Sequence, residues 1–498
     1  MTATSLLRTL LRKDARPVAL RLRSHYWFAT FVIGLGITID MLVYSIVIPV
    51  FPYRLESLGY SGVSGLVGWL LTSFSIGLVV STIPIAMLSE KYETRAWPLN
   101  IGMLLLIGSQ IMLMFAPVYA VMCIARVLQG IASSTVWIVG LALVCDLTPK
   151  RIVGRQLGFA LAGFSLGLLI GPTIGGVLYE RFGYNGPLLF GIIGSSIDLV
   201  FRLFIIERKE ALKWGIDPAS EKNLPPADTE EKAADPSAPA DTLVHAAVQS
   251  TDTSATPKQE LPFLKVVLKM VKSIRALAAF FLTLQQAFVF TSMEPAIPLH
   301  TTAVWGLNPT QVGILFLALS LPTLVANPLS GYLCDTRGSE WVVAFGLTLA
   351  IPWQVVLSVE GPLALFIVSL AVSSFFVASS MTPLMSELAT VSRSIEGVGY
   401  AHVYGAFNFV YGIGSALGPI IGGQIYDHVE RGFLAIMLFC VGITVTAVVQ
   451  AFFFIGERTL ARRLKDRLKV RRDATSSSLD TTPETRGDSE HTQPPLTI

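Results

Sequence analysis

Apolar residues in this chain do not alternate with polar ones; they run together. Twelve stretches dominated by Leu, Ile, Val, Phe, Ala and Gly lie near 27–50, 65–88, 98–116, 119–142, 156–178, 187–206, 274–299, 311–333, 341–359, 362–386, 399–424 and 432–455. Each is close to the roughly 20 residues that carry a helix across a hydrocarbon core about 30 Å thick. The pattern predicts an all-α membrane protein of twelve transmembrane helices. Polar residues gather in short breaks and in three longer segments. The expected organisation is a basic tail (1–26), a six-helix bundle (27–206), a largely disordered linker (207–272), a second six-helix bundle (273–456) and a C-terminal tail (457–498).

The two bundles echo one another. Gly171-Pro172-Thr173-Ile174-Gly175-Gly176 returns as Gly418-Pro419-Ile420-Ile421-Gly422-Gly423, with 419 − 172 = 247 residues between the prolines. Each copy runs on to Tyr and an acid, Tyr179-Glu180 and Tyr426-Asp427. A second pair of landmarks, Glu90 and Asp335 at the ends of apolar runs, is separated by 335 − 90 = 245 residues. One offset shared by unrelated landmarks identifies a duplicated bundle, an architecture suited to moving solutes between compartments.

Composition agrees. Hydrophobic residues make up 52% of the chain and charged ones 14%, against about 25% charged in soluble domains. The net charge of +3 matters less than its distribution. Arg8, Arg12, Lys13, Arg16, Arg21 and Arg23 precede the first span, and a basic run from Arg458 to Arg472 follows the last. Lys91, Arg95, Lys150, Arg151, Arg155, Arg337 and Arg393 fall on the same side, whereas the opposite loops hold essentially Arg54, Arg181 and Arg431. Cytoplasmic loops retain Lys and Arg, so both termini are expected in the cytoplasm. The basic, acid-poor start superficially matches a mitochondrial presequence, but a positive-inside flank explains it more simply. Nucleic acid is not implied.

Cys123, Cys145, Cys334 and Cys440 lie in or at the ends of spans without metal-ligand spacing, so no metal, cofactor or disulfide is expected. The only candidate sequon, Asn308-Pro309-Thr310, is disqualified by its proline. Residues 217–260 are rich in Ala, Pro, Ser, Thr and acids and too poor in apolar groups to fold. From 457 to 472, Leu460, Leu464 and Leu468 share a helical face amid basic residues. This suits either a helix lying on an anionic leaflet or a solvated extension.

Several residues carry candidate mechanism. Gly163, Gly167 and Gly171 recur every fourth residue, then Pro172, Gly175 and Gly176 follow, a small-residue stripe that lets a second helix approach closely. Gly163-Phe164-Ser165-Leu166-Gly167 also fits the serine-hydrolase signature, but it lacks the strand–turn–helix setting that activates such a serine; no enzyme is expected. Arg126, Gln129, Gly130, Ser133 and Trp137 share one face of the fourth span. A mid-membrane arginine costs about 2.5–3.5 kcal/mol on insertion scales, so it faces a cavity or partner, or is held by backbone carbonyls. Asp40 lies roughly 20 Å into the first span, with Tyr44 one turn on, and a carboxylate at that depth is a candidate proton carrier. Glu294 sits in Met293-Glu294-Pro295-Ala296-Ile297-Pro298, where prolines open the seventh span. Gln285, Gln286, Asn327, Tyr404, Asn408, Tyr411 and Ser415 offer hydrogen bonds to a substrate or, as the blander reading, between helices. Asp198 and Arg202 are spaced to pair near the inner end of the sixth span. Glu387 reads as a gate or surface carboxylate, and His300 and His402 as interfacial or packing groups.

With these motifs in place, the chain resembles the major facilitator superfamily, specifically its twelve-span drug:proton antiporters. The resemblance implies that the Gly-Pro-x-x-Gly-Gly stretch is the antiporter motif, which seals the pathway between halves, and that Arg126 in Arg-x-x-Gln-Gly takes part in proton coupling. Residues 86–95, with Glu90 and Arg95, are similar to the family's gating loop, although Ala86, Glu90, Tyr92 and Glu93 depart from it. The second copy, with Asp335 and Arg337, is closer. Asp40 to Pro52 and Glu294 to Pro298 are similar to the vesicular amine transporters and their fungal relatives, which implies that Asp40 and Glu294 bind a cationic amine or exchange protons. The amine carriers' lysine–aspartate pair falls here on Ser75 and Asn408, and their tenth-span aspartate on Thr390, so a less charged substrate is expected.

The sequence therefore predicts a proton-coupled antiporter exporting small organic compounds through a midplane cavity lined by spans 1, 4, 7 and 10. Its partners are a small-molecule substrate, protons and membrane lipid, and it is expected as a monomer. The plasma membrane is the expected location, with a vacuolar or vesicular membrane as the alternative. Proton-coupled uptake and a non-transporting nutrient sensor are the rival functions.

Overall fold

A computed structural model describes residues 17–91, 95–149, 152–220, 269–270, 272–393, 400–456 and 459–466. The tail before 17, the linker from 221 to 268 and the tail after 466 lie outside the described residues, as do the expectations placed on them. Among the described residues the secondary structure is helical throughout.

Eleven helices among the described residues are long and apolar enough to cross a membrane, and the 29-residue helix Tyr400–His428 completes the second set of six. In chain order the spans are 1 (Tyr26–Ser45), 2 (Val63–Lys91), 3 (Ala96–Met114), 4 (Tyr119–Thr135 continued to Leu147), 5 (Val153–Phe182) and 6 (Asn185–Leu203). The second half holds 7 (Ile274–Ser292 with Ala296–Trp305), 8 (Pro309–Arg337), 9 (Ser339–Leu357), 10 (Leu363–Ala378 with Met381–Arg393), 11 (Tyr400–His428) and 12 (Gly432–Phe454). The side where span 1 begins and span 12 ends is here the terminus side, and the opposite one the far side.

Four spans are interrupted, 1, 4, 7 and 10, and in the first three the break has a local cause. Span 1 stops at Ser45, short of the apolar run's end, and the chain turns before a short helix, Phe51–Ser57. Pro49 lacks a backbone donor within that turn. Span 7 is interrupted at 293–295, where Pro295 and Pro298 remove two helix donors. Span 4 carries a π-helical turn at Val136–Gly140, whose extra residue turns Trp137 relative to the preceding helix.

The broadest helix contacts pair span 2 with 11, span 1 with 5, span 2 with 4, span 7 with 11 and span 5 with 8. Glycines make those pairings possible. Gly167 packs on the Thr38 carbonyl of span 1, and Gly422 on the Ser292 carbonyl of span 7. Between the halves, Gly68 packs on the Pro419 carbonyl and Gly313 on the Pro172 carbonyl. In hydrocarbon there is no solvent to drive helices together, so backbone-to-backbone fit carries the association.

Outside the spans, Leu20, Ile206 and Ala211 form a small core that docks the N-terminal segment under span 6, and the Ile206 amide donates to the Arg23 carbonyl at 3.2 Å. The helix at 460–466 docks on the protein rather than presenting a leucine face alone. Leu460 is buried in the second half's core, and Arg463 pairs with Glu340 at 2.5 Å. Leu464 is exposed, and Leu468 lies outside the described residues.

A methyl group at Gly68 would collide with the Pro419 carbonyl, whereas one at Gly442 on span 12 meets open space. Gly68→Ala is expected to cost about 1–3 kcal/mol by overpacking and to lower the thermal unfolding midpoint of the purified protein. Gly442→Ala should leave it unchanged. Equal midpoints for the two variants would contradict the close-approach account.

Candidate functional site

Asp40 is buried near the middle of span 1. Its Oδ2 accepts from Ser133 Oγ at 2.6 Å and from Trp137 Nε1 at 3.1 Å. Both donors lie on span 4, and the π-helical turn holds Trp137. Oδ1 has no hydrogen-bond partner. All of Asp40's bonds therefore stay within the first half, and it does not join Glu294 in one hydrogen-bonded site.

Arg126 is the largest fully buried side chain among the described residues. It forms no ion pair within 4.0 Å among the described residues. One Nη donates to Gln129 Oε1 at 2.5 Å, and Nε reaches the Leu70 carbonyl at 3.4 Å. Three aromatic rings surround the guanidinium, with centroids 5.0 Å (Phe74), 5.3 Å (Tyr44) and 5.6 Å (Phe51) from its carbon. Such contacts contribute about 2 kcal/mol or more when desolvated. The second Nη and Gln129 Nε2 remain without partners, leaving donor capacity for a ligand.

Tyr44 joins this arrangement to the other half. Its hydroxyl donates to Glu294 Oε2 at 2.9 Å, and both residues are buried. Glu294 is placed by the break in span 7, which turns the carboxylate toward span 1. Tyr411 of span 11 stands near enough to act electrostatically on both Glu294 and Tyr44. The site thus comprises Glu294, Tyr44, Arg126, Gln129, Phe74, Phe51 and Tyr411, with Asp40, Ser133 and Trp137 forming a second polar group deeper in the first half.

Other expected residues lie elsewhere. Gln286 donates to the Val377 carbonyl of span 10 at 3.1 Å, beside a small void it shares with Gln285, Ser380 and Thr444. Asn408 is half-buried and forms no hydrogen bond with the described residues. Ser75 faces Ser415 at 3.2 Å, hydroxyl to hydroxyl. Phe74 and Phe51 carried no distinguishing signal in the sequence, because every span is rich in aromatic and aliphatic residues. His300 stacks on Phe433 with centroids 3.9 Å apart, a packing role. Glu387 is a buried knot, accepting from Arg275, from Ser339 at 2.9 Å and from the Gly456 amide at 3.0 Å; it is no surface carboxylate.

The glycine motif has two faces. Gly163, Gly167, Gly171 and Gly175 pack on span 1, within their own half, while Gly176 meets the Pro309 carbonyl of span 8 and the Pro172 carbonyl meets Gly313. The second copy repeats this division. Gly414, Gly418 and Gly422 pack on span 7, and Gly423 meets the Ser64 carbonyl of span 2. Hydrogen bonds between the halves follow the same two seams from the far side inward. Tyr53 meets Thr302 at 2.8 Å, Thr173 donates to the Gly313 carbonyl at 3.2 Å, and Thr72 donates to the Ala416 carbonyl at 2.6 Å. At the far end Asp427 accepts from the Gly65 amide at 2.6 Å and the Ser64 amide at 3.3 Å, capping the first turn of span 2.

A description of the Major Facilitator Superfamily matches residues 27–294 and 277–484, which together cover most of the chain. The chain belongs to the major facilitator superfamily. Among its relatives, an uncharacterized MFS-type transporter of Schizosaccharomyces pombe is 25% identical over 421 residues, 80% of this chain and 90% of that one. The MFS-type transporter ppzB of Metarhizium rileyi is 24% identical over 475 residues, 89% of this chain and 97% of that one. The synaptic vesicular amine transporter of Rattus norvegicus is 26% identical over 366 residues, 72% of this chain and 60% of that one. A bacterial homolog of the human lysosomal transporter Spinster, solved inward-facing and unoccupied, shares the fold. Its TM-score is 0.62 at 14% identity, covering 89% of this chain and 98% of that one. The protein is a secondary transporter of this superfamily and an integral membrane protein.

In this major facilitator chain the loop after span 2 is tied to its own half. Arg95 pairs with Asp146 at 3.1 Å, and the Arg95 and Ala96 amides donate to Glu207 at 2.9 and 2.5 Å. The side chains of Glu90 and Asp335 lie outside the described residues, and Arg337 is exposed.

The Asp427 cap occurs on one seam alone. Glu180, its counterpart in the duplication, is exposed. Asp427→Asn keeps the shape and removes the charge that complements a helix N-terminus, worth about 1 kcal/mol. A membrane-impermeant thiol reagent applied from the far side should label a cysteine at Ser415 roughly fivefold faster in this variant, that energy expressed as an equilibrium shift. Glu180→Gln should leave the rate unchanged. An unchanged rate in Asp427→Asn would contradict a latch at this position.

Proposed function

We propose that the protein is a proton-coupled antiporter that exports small, largely apolar organic compounds, with its terminus side in the cytoplasm. The hydrogen bond from Tyr44 to Glu294 carries this reading. It joins the two halves at a buried point beside a cation that forms no ion pair among the described residues. A proton on Glu294 neutralises that carboxylate, and a substrate that displaces Tyr44 loosens the join between halves. Either event alters the balance between closed and open arrangements, so the two compete for one carboxylate.

The walls set the substrate class. Phe51, Phe74, Tyr44 and Tyr411 supply apolar and aromatic surface, and Glu294 is the carboxylate at the join. Where the amine carriers have a lysine, this chain has Ser75 against Ser415. Such a site takes an aromatic or aliphatic compound with at most one cationic or hydrogen-bonding group. The plasma membrane suits an exporter, and a vesicular membrane suits the same chemistry directed inward.

The test is uptake into acid-loaded proteoliposomes of ethidium as a cationic probe and a neutral coumarin as an uncharged one. Wild-type protein should accumulate at least one of them only while the gradient lasts. Glu294→Gln should abolish gradient-driven accumulation. Tyr44→Phe keeps the ring on Arg126 but loses a hydrogen bond to a charged group, about 1.5–3 kcal/mol, and should slow it roughly tenfold or more. Full gradient-driven activity in Glu294→Gln would sink the assignment.

A further inference from the structure

Asp198 and Arg202 of span 6 take no part in the site described above. They pair at 2.7 Å through Nε and Oδ2, one turn apart, and both are buried within the first half. The pair is incomplete. Both Nη atoms of Arg202 and Oδ1 of Asp198 have no hydrogen-bond partner.

The free end of Arg202 lies against Gly36 of span 1. A Cβ at Gly36 would collide with Nη2 and stand 3.0 Å from Asp198 Oδ2. Gly36 precedes Asp40 by one helical turn, so the two residues share a face, and the Cα–Cβ bond of Asp40 tilts back toward Gly36. Asp40 Oδ1 is itself without a partner, and Arg202 and Arg126 are the cations that act on Asp40. Two carboxylates and one guanidinium with unused donors thus meet in the space left by an absent side chain. Around Asp40, span 4 supplies Ser133, Trp137 and Arg126, and span 6 supplies Asp198 and Arg202, while the span 5 glycines pack on the opposite face of span 1.

We propose that Asp40, Asp198 and Arg202 form a second proton-binding site, wholly inside the first half, in which one guanidinium serves two carboxylates. With Asp40 protonated, Arg202 stays on Asp198, the arrangement seen here. When Asp40 releases its proton to solvent, the free Nη groups of Arg202 turn to the new carboxylate and draw spans 1 and 6 together. Asp40 carries the proton, and Arg202 and Asp198 are positioning residues that set how tightly it is held. The inference rests on the antiporter reading and deepens it: Asp40 holds a proton of its own, in addition to the one that competes with substrate at Glu294.

Trp137 donates to Asp40, so its indole reports the state of that carboxylate without any transport. The experiment is a pH titration of tryptophan fluorescence in the purified full-length protein, with Trp137→Phe subtracted to isolate this residue. Asp198→Asn with Arg202→Gln replaces the ion pair by a neutral pair of similar size and avoids stranding one buried charge. Wild type should show one titration assigned to Trp137, and Asp40→Asn should abolish it. The neutral pair should move its midpoint to higher pH by roughly tenfold in proton concentration or more, because ionised Asp40 loses the Arg202 donors that turn to it, which outweighs the simultaneous loss of the Asp198 charge. Arg202→Lys, which keeps the charge, should restore most of the wild-type midpoint. A neutral-pair variant that unfolds at the wild-type temperature and titrates at the wild-type midpoint would overturn the proposal, as would a Trp137 signal that survives Asp40→Asn. Loss of gradient-driven transport with these titrations intact would count against the antiporter reading alone.

Discussion

A buried guanidinium that forms no ion pair among the described residues is the constraint on which the rest of the site depends. In hydrocarbon, water cannot complete the shell of Arg126, so the protein must. It does so with three aromatic faces, one glutamine and one carbonyl, and each of these fixes a neighbour. Tyr44 must present its ring to Arg126, which directs its hydroxyl toward Glu294. Phe74 and the Leu70 carbonyl bind span 2 to span 4. The join between the halves is therefore built on a residue that touches only one of them.

Duplication explains the frame and its two seams. Each copy of the glycine motif grips the first span of its own half with one face and the opposite half with the other. Close backbone approach at Gly176 and Gly423 brings the halves together on the far side, and Asp427 caps span 2 there. The chemistry, by contrast, occupies positions that have no twin. Asp40, Arg126 and Asp198 belong to the first half, and Glu294 is the acid contributed by the second. A symmetric scaffold carrying an asymmetric charge set can respond to one proton or one solute by favouring one seam over the other.

Much of the fold was legible because its signals are long. Twelve apolar runs, a shared offset and a one-sided charge distribution each integrate over many residues. Ends of elements were less legible. Span 1 ends near Ser45, before the apolar run does, since Pro49 acts through the backbone rather than through hydropathy. At the site, the depth of Asp40, Arg126 and Glu294 could be read from position along a span, but not the groups they would meet. Depth fixes height in the membrane, whereas azimuth depends on packing and on the π-helical turn at Val136–Gly140. Hence Asp40 faces Ser133 and Trp137, Gln286 faces span 10, and the aromatic enclosure of Arg126 went unseen among many similar rings.

The central claim is that protons and a small organic solute cross in opposite directions and compete for buried carboxylates. Its most direct measurement is the internal pH of acid-loaded proteoliposomes, followed with a trapped indicator as a transported probe is added outside. The account predicts that internal pH rises as the probe enters, and that Glu294→Gln abolishes both movements together. Probe entry with no change in internal pH would contradict it.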